Sequence, residues 1–172
     1  MRNVFIISFV ANLVLTVVVV VVGPETMAIH FGAGGEPDGW ASAKANALIM
    51  AGTDVLLFAS FAFLPQLMRI TPDKWINLPN KDYWLKEENR DRAVAMVGDQ
   101  LFKLGAVMFA FMFVVGLLSL QANLSDPVLL REDLFWPPLV LVLAYTVYWT
   151  VGIYRMFRVP EEGGEPRMDA NE

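Results

Sequence analysis

The apolar positions of this chain follow neither the 3.6-residue rhythm of a soluble amphipathic helix nor the alternation of a half-buried strand. They collect into four long runs with polar stretches between them. Val4–Val22 is nineteen residues without a charge, preceded by Arg2. As a helix it is long enough to cross about 30 Å of hydrocarbon. A signal peptide would carry an apolar region of about 7–15 residues ending in a small-x-small cleavage site. This run is longer, and Val22-Gly23-Pro24 is a poor site, so an uncleaved anchor is expected. Its valines are β-branched, but hydrocarbon admits only helices and closed barrels, and the run does not alternate as a barrel strand does. Ala45–Met68 is the second run, with Asp54 near its middle. Leu101–Leu120 is the third, charged only at Lys103. Phe135–Phe157 is the fourth, with Pro137 and Pro138 in its first turn, where a missing N–H is tolerated.

The polar stretches differ in kind. Pro24–Lys44 has dense turn chemistry and the only histidine, His30. Arg69–Gln100 begins with a segment broken by Pro72 and Pro79 and continues, from Lys86, with helix-forming composition that runs into the third span. A helix from Lys86 through Leu120 is predicted, on the order of 50 Å long and therefore protruding from the membrane. Gln121–Leu134 is short and contains Asp126, Glu132 and Asp133. Val159–Glu172 is rich in Gly, Pro and acids and is expected to be disordered. The predicted fold is all-α: a four-transmembrane-helix polytopic membrane domain over residues 1–158.

Lys and Arg set its orientation. With the N-terminus in the cytoplasm, Arg2, Arg69, Lys74, Lys81, Lys86, Arg90, Arg92, Lys103, Arg155, Arg158 and Arg167 lie inside, and only Lys44 and Arg131 lie outside. Both termini and the Arg69–Gln100 loop are then cytoplasmic, and Pro24–Lys44 is a structured extracytoplasmic loop. Trp40, Trp75, Trp84 and Trp136 fall near the expected interfaces, as aromatic belts do.

Composition agrees. Of 172 residues, 56% are hydrophobic and 18% charged, against about 45–50% and about a quarter in soluble domains. The absence of cysteine excludes disulfides, thiolate metal sites and a cysteine nucleophile. No basic cluster points to nucleic acid as a ligand.

Candidate chemistry begins in the outer loop. Glu36-Pro37-Asp38-Gly39 reads as a turn, with Pro presetting the first central φ and Asp and Gly suited to the positions after it. Gly32-x-Gly34 suggests a nucleotide fingerprint but fails, because Pro37 occupies the third-glycine position and no strand–helix unit is available. His30 with Glu25, Glu36 and Asp38 is a weak metal candidate, since zinc sites usually use several His or Cys ligands. The favoured alternative is that His30 donates hydrogen bonds within the loop and fixes its shape; pH sensing is a third. Trp40 and Ser42 complete the motif, with Ser42 expected as the N-cap of the second span. There is no HExxH pattern and no nucleophile–base arrangement, so no catalytic residue, metal or cofactor is expected.

Two further sets stand out. Counting from the span ends places Asn12, Asp54, Tyr145 and Thr146 at similar depth. A mid-membrane carboxyl is costly and faces the bundle interior. Asn12 and Asp54 are predicted to face one another, either as packing glue or as part of a proton or ligand relay. In the cytoplasmic loop, Asn77, Pro79, Asn80, Tyr83 and Trp84 mark either an interfacial segment at headgroup level or a surface for docking a partner. The alternating charges Lys86–Arg92 read as a solvated helix face.

Pro24, Ile29-His30-Phe31, Gly35-x-Pro37-Asp38-Gly39-Trp40 and Ser42 together resemble the small bacterial membrane domain of unknown function numbered 1648 in the DUF series. That domain also occurs at the start of Sdp-type toxin-immunity membrane proteins. Asn77-Leu78-Pro79-Asn80-Lys81-Asp82-Tyr83-Trp84-Leu85 looks like a second motif of stand-alone members. The family's Lys directly after the Ser is displaced here, since Ala43 separates Ser42 from Lys44. The resemblance implies membership of that family rather than a mechanism; the two motif-rich loops on opposite membrane faces, without a nucleophile or a convincing metal set, point to a multi-pass protein of a bacterial plasma membrane that binds or signals without catalysis, of the immunity type. It would meet a peptide ligand outside and a protein partner in the cytoplasm, alone or as an oligomer. The alternative is a small transporter, or an accessory subunit of a membrane complex, that uses Asp54.

Overall fold

A computed structural model describes residues 1–160; residues 161–172, most of the tail expected to be disordered, lie outside the described residues. In chain order the elements are α1 (Arg2–Val22), the strands β1 (Thr26–Phe31) and β2 (Pro37–Ser42), α2 (Ala43–Ile70), the short α3 (Lys81–Trp84), α4 (Glu87–Asn123) and α5 (Glu132–Met156). Helices α1, α2, α4 and α5 are each long and apolar enough to cross a membrane. The expected all-α class needs one correction: β1 and β2 form a two-stranded antiparallel sheet between α1 and α2.

Local chemistry sets the helix ends. Ser42 Oγ accepts from Ala45 N at 3.2 Å and caps α2. Thr71 closes the other end of α2, with its N–H and its hydroxyl both donating to Leu67 O, just before Pro72. Glu87 and Glu88 in the first turn of α4 suit the positive end of its dipole. At about 1.5 Å per residue, the 37 residues of α4 reach roughly 55 Å.

Helix α4 is the central element, touching α1, α2, α5 and β1. The face that α1 buries against the bundle is a helical stripe of Phe5, Asn12, Leu15, Thr16 and Val19. Phe5 and Phe9 enter a group of aromatic rings from three helices. Phe5 stacks on Phe58 at 5.0 Å between centroids, meets Phe61 edge-on, and lies 5.3 Å from Phe102 and 5.5 Å from Phe109. Such pairs add about 0.5–1.5 kcal/mol each beyond area burial. The close approach of α1 to α4 needs Gly105, where an added Cβ would sit 2.6 Å from a Phe5 ring carbon and 3.1 Å from Phe61. Helix α5 leans on α4 and leaves Leu141, Val147, Tyr148 and Tyr154 exposed, as a lipid-facing helix would.

Trp40, Trp75 and Trp136 are 51%, 74% and 53% exposed, in keeping with interface positions, whereas Trp84 is 1% exposed and belongs to the packed core. It sits with Ile76, Leu78, Leu85, Ala93 and Phe157 in an apolar cluster that joins the α2–α4 connection to the end of α5.

Gly105→Val should overpack this seam and destabilise the protein by about 1–3 kcal/mol. Gly152→Ala, on α5 where an added Cβ meets nothing, should leave stability unchanged or slightly raised. Melting curves by circular dichroism in detergent separate the two; equal melting temperatures would remove the close α1–α4 packing.

Candidate functional site

The hairpin is built from a pattern that sequence inspection assigned differently. Glu36-Pro37-Asp38-Gly39 is not the turn: β2 starts at Pro37, a position where a strand accepts proline. The turn lies earlier, at Gly32–Gly35, where Gly34 and Gly35 adopt φ of 81° and 77°. Gly35 N donates to Gly32 O at 3.1 Å, and Gly32 N donates to Glu36 O at 2.8 Å.

The strands pair Thr26 with Ser42, Met27 with Ala41, Ala28 with Trp40, His30 with Gly39 and Phe31 with Pro37. Between these pairs the register shifts twice, leaving Ile29 on β1 and Asp38 on β2 without an opposite residue. His30 and Asp38 come together across the hairpin, His30 Nδ1 donating to Asp38 Oδ1, and both side chains are exposed. Ile29, Glu36 and Trp40 are exposed on the same hairpin.

The opposite side of the hairpin is anchored. Met27 and Ala28 are fully buried, and Met27 packs with Leu15, Val19, Ala43 and Leu120 at the end of the bundle. Asn123, in the last turn of α4, holds both backbone groups of Ala28. Its Oδ1 accepts from Ala28 N at 2.6 Å and its Nδ2 donates to Ala28 O at 2.9 Å. The same Nδ2 reaches Ser119 O in its own helix. The tip is fixed to the α4–α5 connection: Leu130 N donates to Gly35 O at 2.9 Å, and Gly34 N donates to Glu132 Oε1 at 3.1 Å. A Cβ on Gly35 would collide with the Leu130 carbonyl. Asn123, Leu130 and Glu132 were not identified from sequence. Their partners lie about a hundred residues away, and only a polar residue at the end of a span hinted at such a role.

Among the described residues no three His, Asp or Glu side chains gather as a metal site. No hydrogen bond joins His30 to a hydroxyl there, and Ser42 Oγ is engaged as the α2 cap. The arrangement offers a shaped, polar and aromatic surface without an assembled nucleophile.

Inside the bundle the predicted Asn12–Asp54 pair does not form. Asn12 is buried and donates instead to Ser8 O and Phe109 O, both at 2.9 Å. It thereby satisfies itself on the backbones of α1 and α4, and depth matching could not reveal the direction in which the side chain points. Thr16 Oγ1 donates to Asn12 O at 3.1 Å. Asp54 is 1% exposed and its Oδ1 has no hydrogen-bond partner. Tyr145 and Thr146 lie on α5; Thr146 Oγ1 bonds its own helix at Val142 O, and Tyr145 packs beside Tyr148.

At the far end, the segment expected to dock a partner is partly consumed by the fold. Trp84 Nε1 and Asn80 Nδ2 both donate to Phe157 O, at 2.9 and 2.8 Å, so both terminate α5. Tyr83 lies half-buried edge-on to Trp84, and its carbonyl accepts from Asn89 Nδ2. Pro79 is half-buried, and Asn77 is exposed. Arg90, expected on a solvated face, instead reaches across to α2. It donates to Met68 O at 2.7 Å and Thr71 O at 2.8 Å, and pairs with Asp73 at 2.5 Å. The long guanidinium fork lets it satisfy helix-end carbonyls that lack intrahelical donors.

Asn123→Ala should strip both bonds from the buried Ala28 backbone and cost about 1–3 kcal/mol for each orphaned group. Asn123→Asp, which loses the donor but keeps an acceptor, should fall between. Amide hydrogen exchange at Ala28 reads this directly; protection unchanged in Asn123→Ala would mean that packing alone holds the hairpin.

Comparison with known proteins bears on the N-terminal stretch that carries the hairpin. Residues 7–53 match the family described as "Domain of unknown function (DUF1648)". No curated protein and no solved structure matches the chain. The matched stretch holds most of α1, the whole hairpin and the start of α2, and ends one residue before Asp54. Residues 7–53 are thus a DUF1648 domain, in which a buried-base hairpin bridges two helices long enough to span a membrane.

Proposed function

We propose that the protein is a non-enzymatic binding and signalling protein of a bacterial plasma membrane, of the immunity type, with both termini in the cytoplasm and the hairpin outside. The excess of Lys and Arg at the end away from the hairpin supports that orientation. The observation that carries the reading is a recognition surface fixed to a rod. Exposed Ile29, His30, Glu36, Asp38 and Trp40 stand on a hairpin whose buried base is held by Asn123 at the end of α4. The other end of the same continuous helix carries Arg90, which closes α2, and borders the Trp84–Phe157 cluster. A peptide ligand at the hairpin acts on α4 through Asn123, and a cytoplasmic partner meets the exposed part of the α2–α4 connection around Trp75 and Asn77.

His30→Ala and Asp38→Ala should leave the membrane level and melting temperature near wild type, because both side chains are exposed. Either change should weaken protection of expressing cells against secreted peptide toxins by about tenfold, the scale of one lost polar anchor. Protection retained at equal membrane level would remove the hairpin as the recognition surface, and loss of the protein from the membrane in both variants would make the pair structural.

A second reading rests on the partnerless Oδ1 of buried Asp54. Intramembrane carboxyls mark ion and proton paths, which favours a small transporter or accessory subunit. Proton flux into proteoliposomes that vanishes in Asp54→Asn is the expected result on this reading; wild-type flux, or none in either protein, removes it.

A further inference from the structure

At the end of the bundle away from the hairpin, α1, α2 and α4 do not close completely. They leave a cleft of about 430 Å³ lined by exposed Arg2, Gln66 and Arg69 at its rim and, deeper, by buried Pro65 and half-buried Phe102. Arg2 opens α1, Arg69 lies in the last turn of α2, and Phe102 sits where α4 turns apolar. The cleft therefore spans the level at which charged side chains give way to hydrocarbon. Its charges are graded. Arg2 makes no ion pair among the described residues. The Arg69 guanidinium is positioned by Asp91 at 2.5 Å yet remains half exposed. Asp99, the one acid on the rim, is neutralised in place by Lys103 at 2.9 Å. The surplus is positive, above an apolar floor.

We propose that this cleft is a binding site for the phosphate headgroup of an anionic phospholipid. Two guanidiniums from separate helices face one opening, and their planar forks match phosphate oxygens. Pro65 and Phe102 lie below them, where the glycerol and the first acyl carbons of the same lipid would rest. A soluble phosphate would use only the rim and leave the floor uncovered; a phospholipid uses both. Basic pockets between spanning helices are a known form of headgroup site.

The test uses the full chain purified in detergent and mixed with phosphatidylglycerol or phosphatidylcholine, with bound lipid counted by native mass spectrometry. Phosphatidylglycerol should be retained in preference, and each of Arg2→Gln and Arg69→Gln should lower its retention about fivefold. Arg155→Gln with Arg158→Gln, which removes two charges at the same end but outside the cleft, should leave it unchanged. Asp91→Asn, which frees Arg69 from its acid, should raise it. Glycerol phosphate in millimolar excess should displace little lipid. Equal retention of the two lipids would overturn the proposal. So would equal loss in the control pair, displacement by glycerol phosphate alone, or no response to Asp91→Asn in a folded protein.

Discussion

The carboxamide of Asn123 carries a donor and an acceptor spaced much like those of a peptide group, and it spends both on Ala28. That matters because a two-stranded sheet is marginal by itself, having too few bonds and too little buried surface to offset its ordering entropy. Asn123 takes the place of a neighbouring strand for one residue. Met27 supplies the buried side chain, and Leu130 secures the tip through Gly35. Remove the amide and Ala28 becomes a fully buried residue with two orphaned backbone groups, each costing about 1–3 kcal/mol.

The same solution recurs at the other end with different atoms. The last carbonyls of α2 are met by Arg90, and the carbonyl that follows α5 is met by Asn80 and Trp84. Helix ends near lipid have less water to satisfy them, so side chains from sequence-distant segments take over. Two of these three devices, Asn123 and Arg90, stand on α4. Its length is therefore a consequence of its work: it must reach from the hairpin to the end of α2, which a span of minimal length would not do.

How much of this was legible in the sequence divides along the range of the interactions. The four spans and the extended α4 are set by local composition, which hydrophobic runs report directly. The hairpin was missed because its strands are six residues each and its glycines and Pro-Asp-Gly read equally well as one irregular loop. Only the positive φ at Gly34 and Gly35 decides which of the two is the turn. Trp84 looked like an interface residue because composition cannot tell a ring lying at the headgroups from one folded under Phe157. Asn123 and Arg90 have partners fixed by tertiary approach alone, and nothing local in the sequence carries that information.

Asn12 and Asp54 show the limit of reasoning from depth, and their difference is itself informative. A polar residue that serves as packing glue needs an acceptor or donor on another helix. Asn12 has one in Phe109 O, and its neighbour Thr16 returns to the Asn12 carbonyl, so these polar groups are satisfied by α1 and α4 alone. Asp54 is as deeply buried, yet its Oδ1 meets no donor. Apolar packing would be served better by a leucine at that place, since a buried polar group without a partner costs free energy and returns none. The core thus contains polar side chains whose presence their own contacts explain and one whose presence they do not, and that one is a carboxyl near the middle of a span. Packing accounts for Asn12; the case for a ligand or proton at the centre of the bundle rests on Asp54 alone.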